Sequence, residues 1–182
     1  MTDDELYLEC FLLSGTYGDL NADRPHKTVM VFRSTINGTS GVYQVIHSDP
    51  QNGHAEFIFL NLVKISPEAT EIKIEMFISY SPCDICAKAL IHWIKNLRDQ
   101  GKTVSIAIKF STLNLNETHG LILLHQLHGI TLGVFNRNVW GEFFQLIKKK
   151  SDGEFQELIN QRAARETEDA KKLKGIISLK RI

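Results

Sequence analysis

Two short segments carry side chains whose types and spacing can do chemistry: His54-Ala55-Glu56, and, after residues 57 to 81, Pro82-Cys83-Asp84-Ile85-Cys86. One imidazole and two thiols form a ligand set for zinc. Three protein ligands leave a fourth tetrahedral position open to water, as in a catalytic rather than a structural zinc site. Cys83 and Cys86 are three residues apart at the start of a helical pattern, so both sulfurs face one way. The exposed amides and positive dipole end there favour thiolate over thiol. Pro82 is tolerated at that start because no internal hydrogen bond needs its missing N–H. Glu56 is not needed as a ligand, and it can carry protons to and from a water that attacks a substrate.

Each segment alone has a simpler reading. A histidine at the start of an apolar helix can be a packed core residue, and a C-x-x-C can be a redox pair or half of a structural zinc site. A structural zinc needs a fourth protein ligand. The one remaining cysteine, Cys10, falls on the apolar stripe Leu6, Cys10 and Leu13 of another helix. The joint occurrence of both segments therefore selects a hydrolytic metal site. His125 and His128, three apart, read as a solvated helix face before a second metal site, and His92 and Trp93 as packing and edge residues.

The elements that must position these residues are legible in the periodicity. Thr28–Arg33 and Val42–His47, joined through Asn37-Gly38, predict a β-hairpin. His54–Val63 reads as a largely buried helix. Ile72, Ile74, Met76 and Ile78 alternate with Lys73, Glu75 and Phe77, which predicts a strand. Ser81-Pro82 opens a helix with the stripe Ala87, Leu90, Ile91, Ile94 and Leu97, closed by Gly101. Strands over Val104–Phe110 and Ile130–Phe135 flank a helix over Thr118–His128. The stripe Trp140, Phe143, Phe144 and Ile147 makes a further helix, and Ser151-Asp152-Gly153-Glu154 has capping-box spacing before a last one. A helical crossover makes the last two strands parallel. The expected fold is one domain over residues 1–182, a three-layer α/β/α sandwich around a five-stranded mixed sheet.

Composition bounds the rest. The 182 residues are 43% hydrophobic and 23% charged, enough for a core and a wettable surface, so disorder and coiled coil are excluded. No apolar run approaches the roughly 20 residues of a membrane helix, so no membrane partner is expected. Met1-Thr2-Asp3-Asp4-Glu5 is acidic where a secretion signal is basic. A cytoplasmic or nuclear location is the expectation. The 21 basic and 21 acidic residues cancel, with 11 against 15 in residues 1–147 and 10 against 6 in residues 148–182. The totals show no strong electrostatic footprint for nucleic acid. Lys148-Lys149-Lys150 and Lys171-Lys172-Leu173-Lys174 read as solvated helix faces.

With these motifs in place, the chain resembles the zinc-dependent cytidine deaminase superfamily, and its AID/APOBEC branch over nearly its whole length. The H-A-E motif is shared with tRNA adenosine and deoxycytidylate deaminases, whereas free-nucleoside cytidine deaminases usually begin with a cysteine ligand. Ser79-Tyr80-Ser81-Pro82-Cys83 is similar to the S-W-S-P-C of AID/APOBEC proteins, where tRNA deaminases usually place Glu before the Pro. His26-Lys27-Thr28 before the first strand, Gly120-Leu121 in a helix, and two C-terminal helices also resemble that branch. The resemblance implies hydrolysis of cytosine to uracil in single-stranded DNA or RNA, with one zinc per chain held by His54, Cys83 and Cys86 and with Glu56 moving the protons. It implies substrate contacts from Thr28, Ala55, Tyr80, Ser81 and Phe110, the last at a strand end where the family stacks a tyrosine. For the family's pocket asparagine, Ser48, Asp49 and Asn52 are the candidates. A monomer or weak homo-oligomer and a role in editing or innate immunity are further implications. A free-nucleotide or tRNA-base deaminase, and a silent nucleic-acid-binding relative, are the alternatives.

In that branch the loop after the strand-end aromatic reads the base 5′ to the target. Here Ser111 to Thr118 contains no aromatic ring and no cation, whereas single-strand binders combine stacking rings with a basic groove. Weak binding, a shallow salt dependence and little discrimination at the 5′ neighbour are expected. Deamination measured across the four 5′ neighbours at two salt concentrations checks this. A preference above about tenfold, or about 1.4 kcal/mol, would show that polar groups of the loop do read that base.

Overall fold

The structure is a computed structural model that describes residues 11, 28–48, 51, 53–146 and 153–178. Strands β1 (Val29–Ile36), β2 (Thr39–Ser40) and β3 (Gln44–His47) are followed by α1 (Ala55–Leu62), β4 (Glu71–Tyr80) and α2 (Asp84–Asp99). Then come β5 (Thr103–Thr112), α3 (His119–His125), β6 (Ile130–Val134), α4 (Arg137–Leu146) and α5 (Gly153–Ile177). The order follows the sequence pattern. The helix expected at Leu6, Cys10 and Leu13 lies outside the described residues, as do Ile147 and the Ser151-Asp152 half of the expected cap.

The sheet runs β2-β1-β4-β5-β6, with β3 also on β1. It has six strands where five were expected, and the cause is local. Asn37 and Gly38, at φ 48° and 81°, make the positive-φ turn that an Asn-Gly hairpin requires. The returning strand pairs as Thr35 opposite Ser40, leaves the ladder over residues 41–43, and rejoins with Phe32 opposite Gln44 and Val29 opposite His47. That register carries one extra residue, so a bulge separates β3, which lies within the expected strand Val42–His47, from β2, an additional short strand in the expected hairpin linker. β4 pairs antiparallel with β1 and parallel with β5, and β5 pairs parallel with β6. The helical crossovers α2 and α3 make all of the last three strands parallel.

The alternation along β4 divides the core in two. Ile72, Ile74, Met76 and Ile78 pack with Phe59 of α1, Leu90 and Ile94 of α2, and Leu121 and Leu124 of α3. Phe77 points the other way, into Phe11, Phe135, Trp140 and Phe143. Helices thus cover both faces, as a three-layer sandwich requires. α5 serves both, through Leu173 in the first core and Ile159 in the second. Two expectations are corrected here. α1 buries Ala55, Glu56 and Phe59 but leaves Leu62 56% exposed, because eight residues can lay only one face on the sheet. β5 extends two residues past Phe110, whose ring is fully buried in the first core and pairs in register with Ile78 and Val134.

α3 crosses α2 at its very start. A Cβ on Gly120 would lie 2.5 Å from Ala87 Cβ and 3.0 Å from Asp84 Cα. Gly120→Ala must force the two helices apart, and a destabilisation of about 1–3 kcal/mol is expected from such overpacking. Urea unfolding of the two proteins measures it, and an unchanged midpoint would mean that α3 can shift freely.

Candidate active site

The two chemistry-bearing segments meet because both lie at helix starts on one end of the sheet. His54 is the N-cap of α1, with φ −70° and ψ 153°, and its ring makes no capping bond. It reaches instead toward α2, where Cys83 is the N-cap and Asp84 the first helical residue, so Pro82 precedes the cap rather than opening the helix. His54 Nδ1 lies 3.2 Å from Cys86 Sγ and 3.5 Å from Cys83 Sγ. The three donor atoms fall within 4.8 Å of one another and could hold a metal ion. Among the described residues, His125 and His128 join no such group.

The electrostatics of the two cysteines differ. Cys83 Sγ accepts the Cys86 backbone N–H at 3.5 Å, the contact expected of a helix start. Cys86 is fully buried, and burial followed by the charge of Glu56 pushes its thiol pKa far above the ordinary value. Burial and the Glu56 charge thus oppose the helix end, which favours thiolate. Glu56, in the first turn of α1, is 3% exposed and lies beside Cys86. Burial raises its pKa, and its own backbone hydrogen bond, His54 and Cys86 oppose that rise.

The remaining expected residues also lie toward this end of the sheet, with Phe110 opposite Ile78, two residues before Tyr80. Ser81 donates its N–H to the Thr112 carbonyl at 2.9 Å, and its Oγ accepts the Asn114 N–H at 2.9 Å. Tyr80 is the last residue of β4 and half-buried, and Ala55 is fully buried between ligand and acid. Thr28 immediately precedes β1. Its N–H donates to Ser48 Oγ at 2.6 Å and its carbonyl accepts the Ser48 N–H at 2.8 Å. Phe110 is not brought to the surface of the site. Asp49 and Asn52 lie outside the described residues.

Sequence reasoning missed two acids that fasten the cysteine turn. Glu117 Oε2 accepts the Asp84 N–H at 3.0 Å, and Asp84 Oδ1 accepts the Gly120 N–H at 2.7 Å. An acid at a helix start is favourable, but Glu117 reaches this one from 33 residues away, so no local pattern could reveal it. Metal uptake must displace the raised Cys86 proton. Affinity for zinc is thus expected to increase with pH, by about tenfold or more per unit through neutrality, and Cys86→Ala is expected to abolish it. Chelator competition at three pH values checks both, and a pH-independent affinity would refute the thiol assignment.

A model of the APOBEC3H family matches residues 23–151, which include β1 through α4, the three ligand residues and Glu56. No curated protein matches the chain. The match covers well over half of the 182 residues and coincides with the elements that converge on the His-Cys-Cys cluster. The chain belongs to the APOBEC3H family, a family of AID/APOBEC-type cytidine deaminases.

Proposed function

We propose that this protein hydrolyses cytosine to uracil in single-stranded DNA or RNA, with zinc as its metal. The observation that carries the reading is the convergence of His54, Cys83 and Cys86 beside a buried, non-ligating Glu56. The donor set fits the metal. Tetrahedral zinc with usual bond lengths separates imidazole nitrogen from thiolate sulfur by about 3.6 Å, close to the 3.2 and 3.5 Å found here. Held by these three residues, zinc supplies a Lewis acid and lowers the pKa of water at the open position.

The protein's own groups then account for the proton traffic. Glu56 takes a proton from the attacking water and delivers it to N3 of the cytosine ring as the C4–O bond forms. The same carboxyl then takes the proton of the new C4 hydroxyl and delivers it to the amino group as the C4–N bond breaks, releasing ammonia and leaving the C4 carbonyl. A carboxyl whose pKa is raised by burial suits this work, because it must hold a proton between deliveries. Ser81 accepts the Asn114 amide through its oxygen, which leaves its hydroxyl proton free to be donated to a substrate. We read half-buried Tyr80, at the end of β4, and Thr28, immediately before β1, as further substrate contacts. A base inside a duplex cannot reach this centre without being unstacked, so single strands are the substrate.

Glu56→Gln is expected to retain metal and fold while lowering turnover by about a hundred- to ten-thousandfold. Uracil release from single-stranded DNA, single-stranded RNA, duplex DNA and free cytidine nucleotides checks the reading. Loss of metal in Glu56→Gln would refute the ligand assignment. No deamination of any substrate by the wild-type chain would replace the enzyme with a binding protein, and equal rates on duplex and single strand would refute the strand requirement.

A further inference from the structure

We propose that Arg162 is a positioning residue for the active site, holding the end of β5, and through it the Ser79–Ser81 approach to the cysteine ligands, from the C-terminal helix. The inference rests on the reading of His54, Glu56, Cys83 and Cys86 as the reacting centre. It concerns a helix that lies beyond the residues matched by the family model.

Arginine is seldom fully buried unless partnered, yet Arg162 is 1% exposed. Its Nη2–H donates to the Ser111 carbonyl at 2.7 Å, across 51 residues of chain. Glu166, one turn along α5, lies 3.5 Å from its Nε and also accepts the Trp140 indole N–H. The guanidinium sits 5.6 Å from the centre of the Trp140 ring. The reason for this reach is in the sheet. β6 pairs with β5 only as far as Phe110 opposite Val134, so the strand partner stops one residue before Ser111. Ser111 is itself fully buried, and a buried carbonyl needs a donor. Arg162 supplies it.

From Ser111 the connections run toward the site. Its Oγ–H donates to the Ser79 carbonyl at 2.9 Å, and Ser79 Oγ accepts the Val29 N–H at 3.1 Å. The next residue, Thr112, accepts the Ser81 N–H at 2.9 Å, and Ser81 Oγ accepts the Asn114 N–H at 2.9 Å. Val29 and residues 79–81 and 111–114 are therefore cross-tied two residues before Cys83. Apolar cover from α5 comes from other side chains, among them Ile159, Leu173 and Ile176. The guanidinium adds a specific anchor at the strand end that bears the site.

Residue-resolved amide exchange on the full chain tests this, since it needs neither metal nor substrate. In the wild type at low denaturant, Ser81 and Asn114 are expected to open together with the amides around Arg162, as one cooperative unit. Arg162→Lys keeps the buried charge but loses the planar fork. Exchange at Ser81 and Asn114 is expected to rise about tenfold or more relative to Phe32 and Met76 in the sheet centre, the scale of a hydrogen bond to a charged group. Trp140→Phe removes the bond to Glu166 and leaves the Arg162 donor in place, so it should move Ser81 and Asn114 no more than the sheet centre. On a single-stranded oligonucleotide with one cytosine, Arg162→Lys should lower kcat by about ten- to a hundredfold with KM nearly unchanged. Trp140→Phe should keep kcat. Opening of α5 while Ser81 and Asn114 stay protected would overturn the proposal, as would equal effects of the two variants. A wild-type chain without deaminase activity would overturn the proposed function instead, and the exchange comparison would still decide the role of Arg162.

Discussion

His54 and Cys86 belong to different helices, and the 3.2 Å between imidazole nitrogen and thiol sulfur exists only because the starts of α1 and α2 converge over one end of the sheet. Phe59 is the apolar pivot of that convergence. Its ring meets Phe32 of β1 edge-on at 4.9 Å and Trp93 of α2 at 5.7 Å, and such aromatic pairs add about 0.5–1.5 kcal/mol each beyond their buried area. β4 then delivers Ser81, Pro82 and Cys83 at its end, and its antiparallel pairing with β1 and parallel pairing with β5 set where that end lies. Ligand geometry is thus a consequence of core packing two turns away.

Charge is used internally more than the neutral total suggests. On the second face of the sheet, Glu75 gathers Arg33 at 3.3 Å, Lys109 at 3.0 Å and the Tyr43 hydroxyl at 3.0 Å. Burial and Glu75 push the Tyr43 pKa up to about 12, so this hydroxyl stays a donor throughout the physiological range. Lys109 also pairs with Glu142 at 2.8 Å. Lys102, 7% exposed, donates to the carbonyls of Ser66, Pro67 and Ala69. These cations hold the fold together.

The cysteine turn is held from three directions: by Glu117 and Gly120 at the start of α2, by Thr112 and Asn114 at Ser81, and by α5 at Ser111. Each of these contacts joins segments more than thirty residues apart. A site assembled at element ends has few backbone ladder bonds of its own, so side-chain to backbone bonds replace them. The close approach of Gly120 to Ala87 and Asp84 acts in the same place.

By itself the sequence determined the elements and the ligand set, because both are local. The alternation through Ile72, Ile74, Met76 and Ile78 and the stripe Ala87, Leu90, Ile94 and Leu97 are properties of a few consecutive turns or pleats, and H-A-E with P-C-x-x-C is a property of spacing. Helices on both faces followed from that periodicity. Only the tertiary structure decided what depends on distant partners. The bulge that separates β2 from β3 rests on register against β1, the burial of Phe110 on the core that α1, α2 and α3 complete, and the raised Cys86 thiol on burial and Glu56. Glu117 at the cysteine helix and Arg162 at the end of β5 carry no local signal at all, since a charged side chain in a helix or loop reads as solvated until packing shows which backbone group it must satisfy.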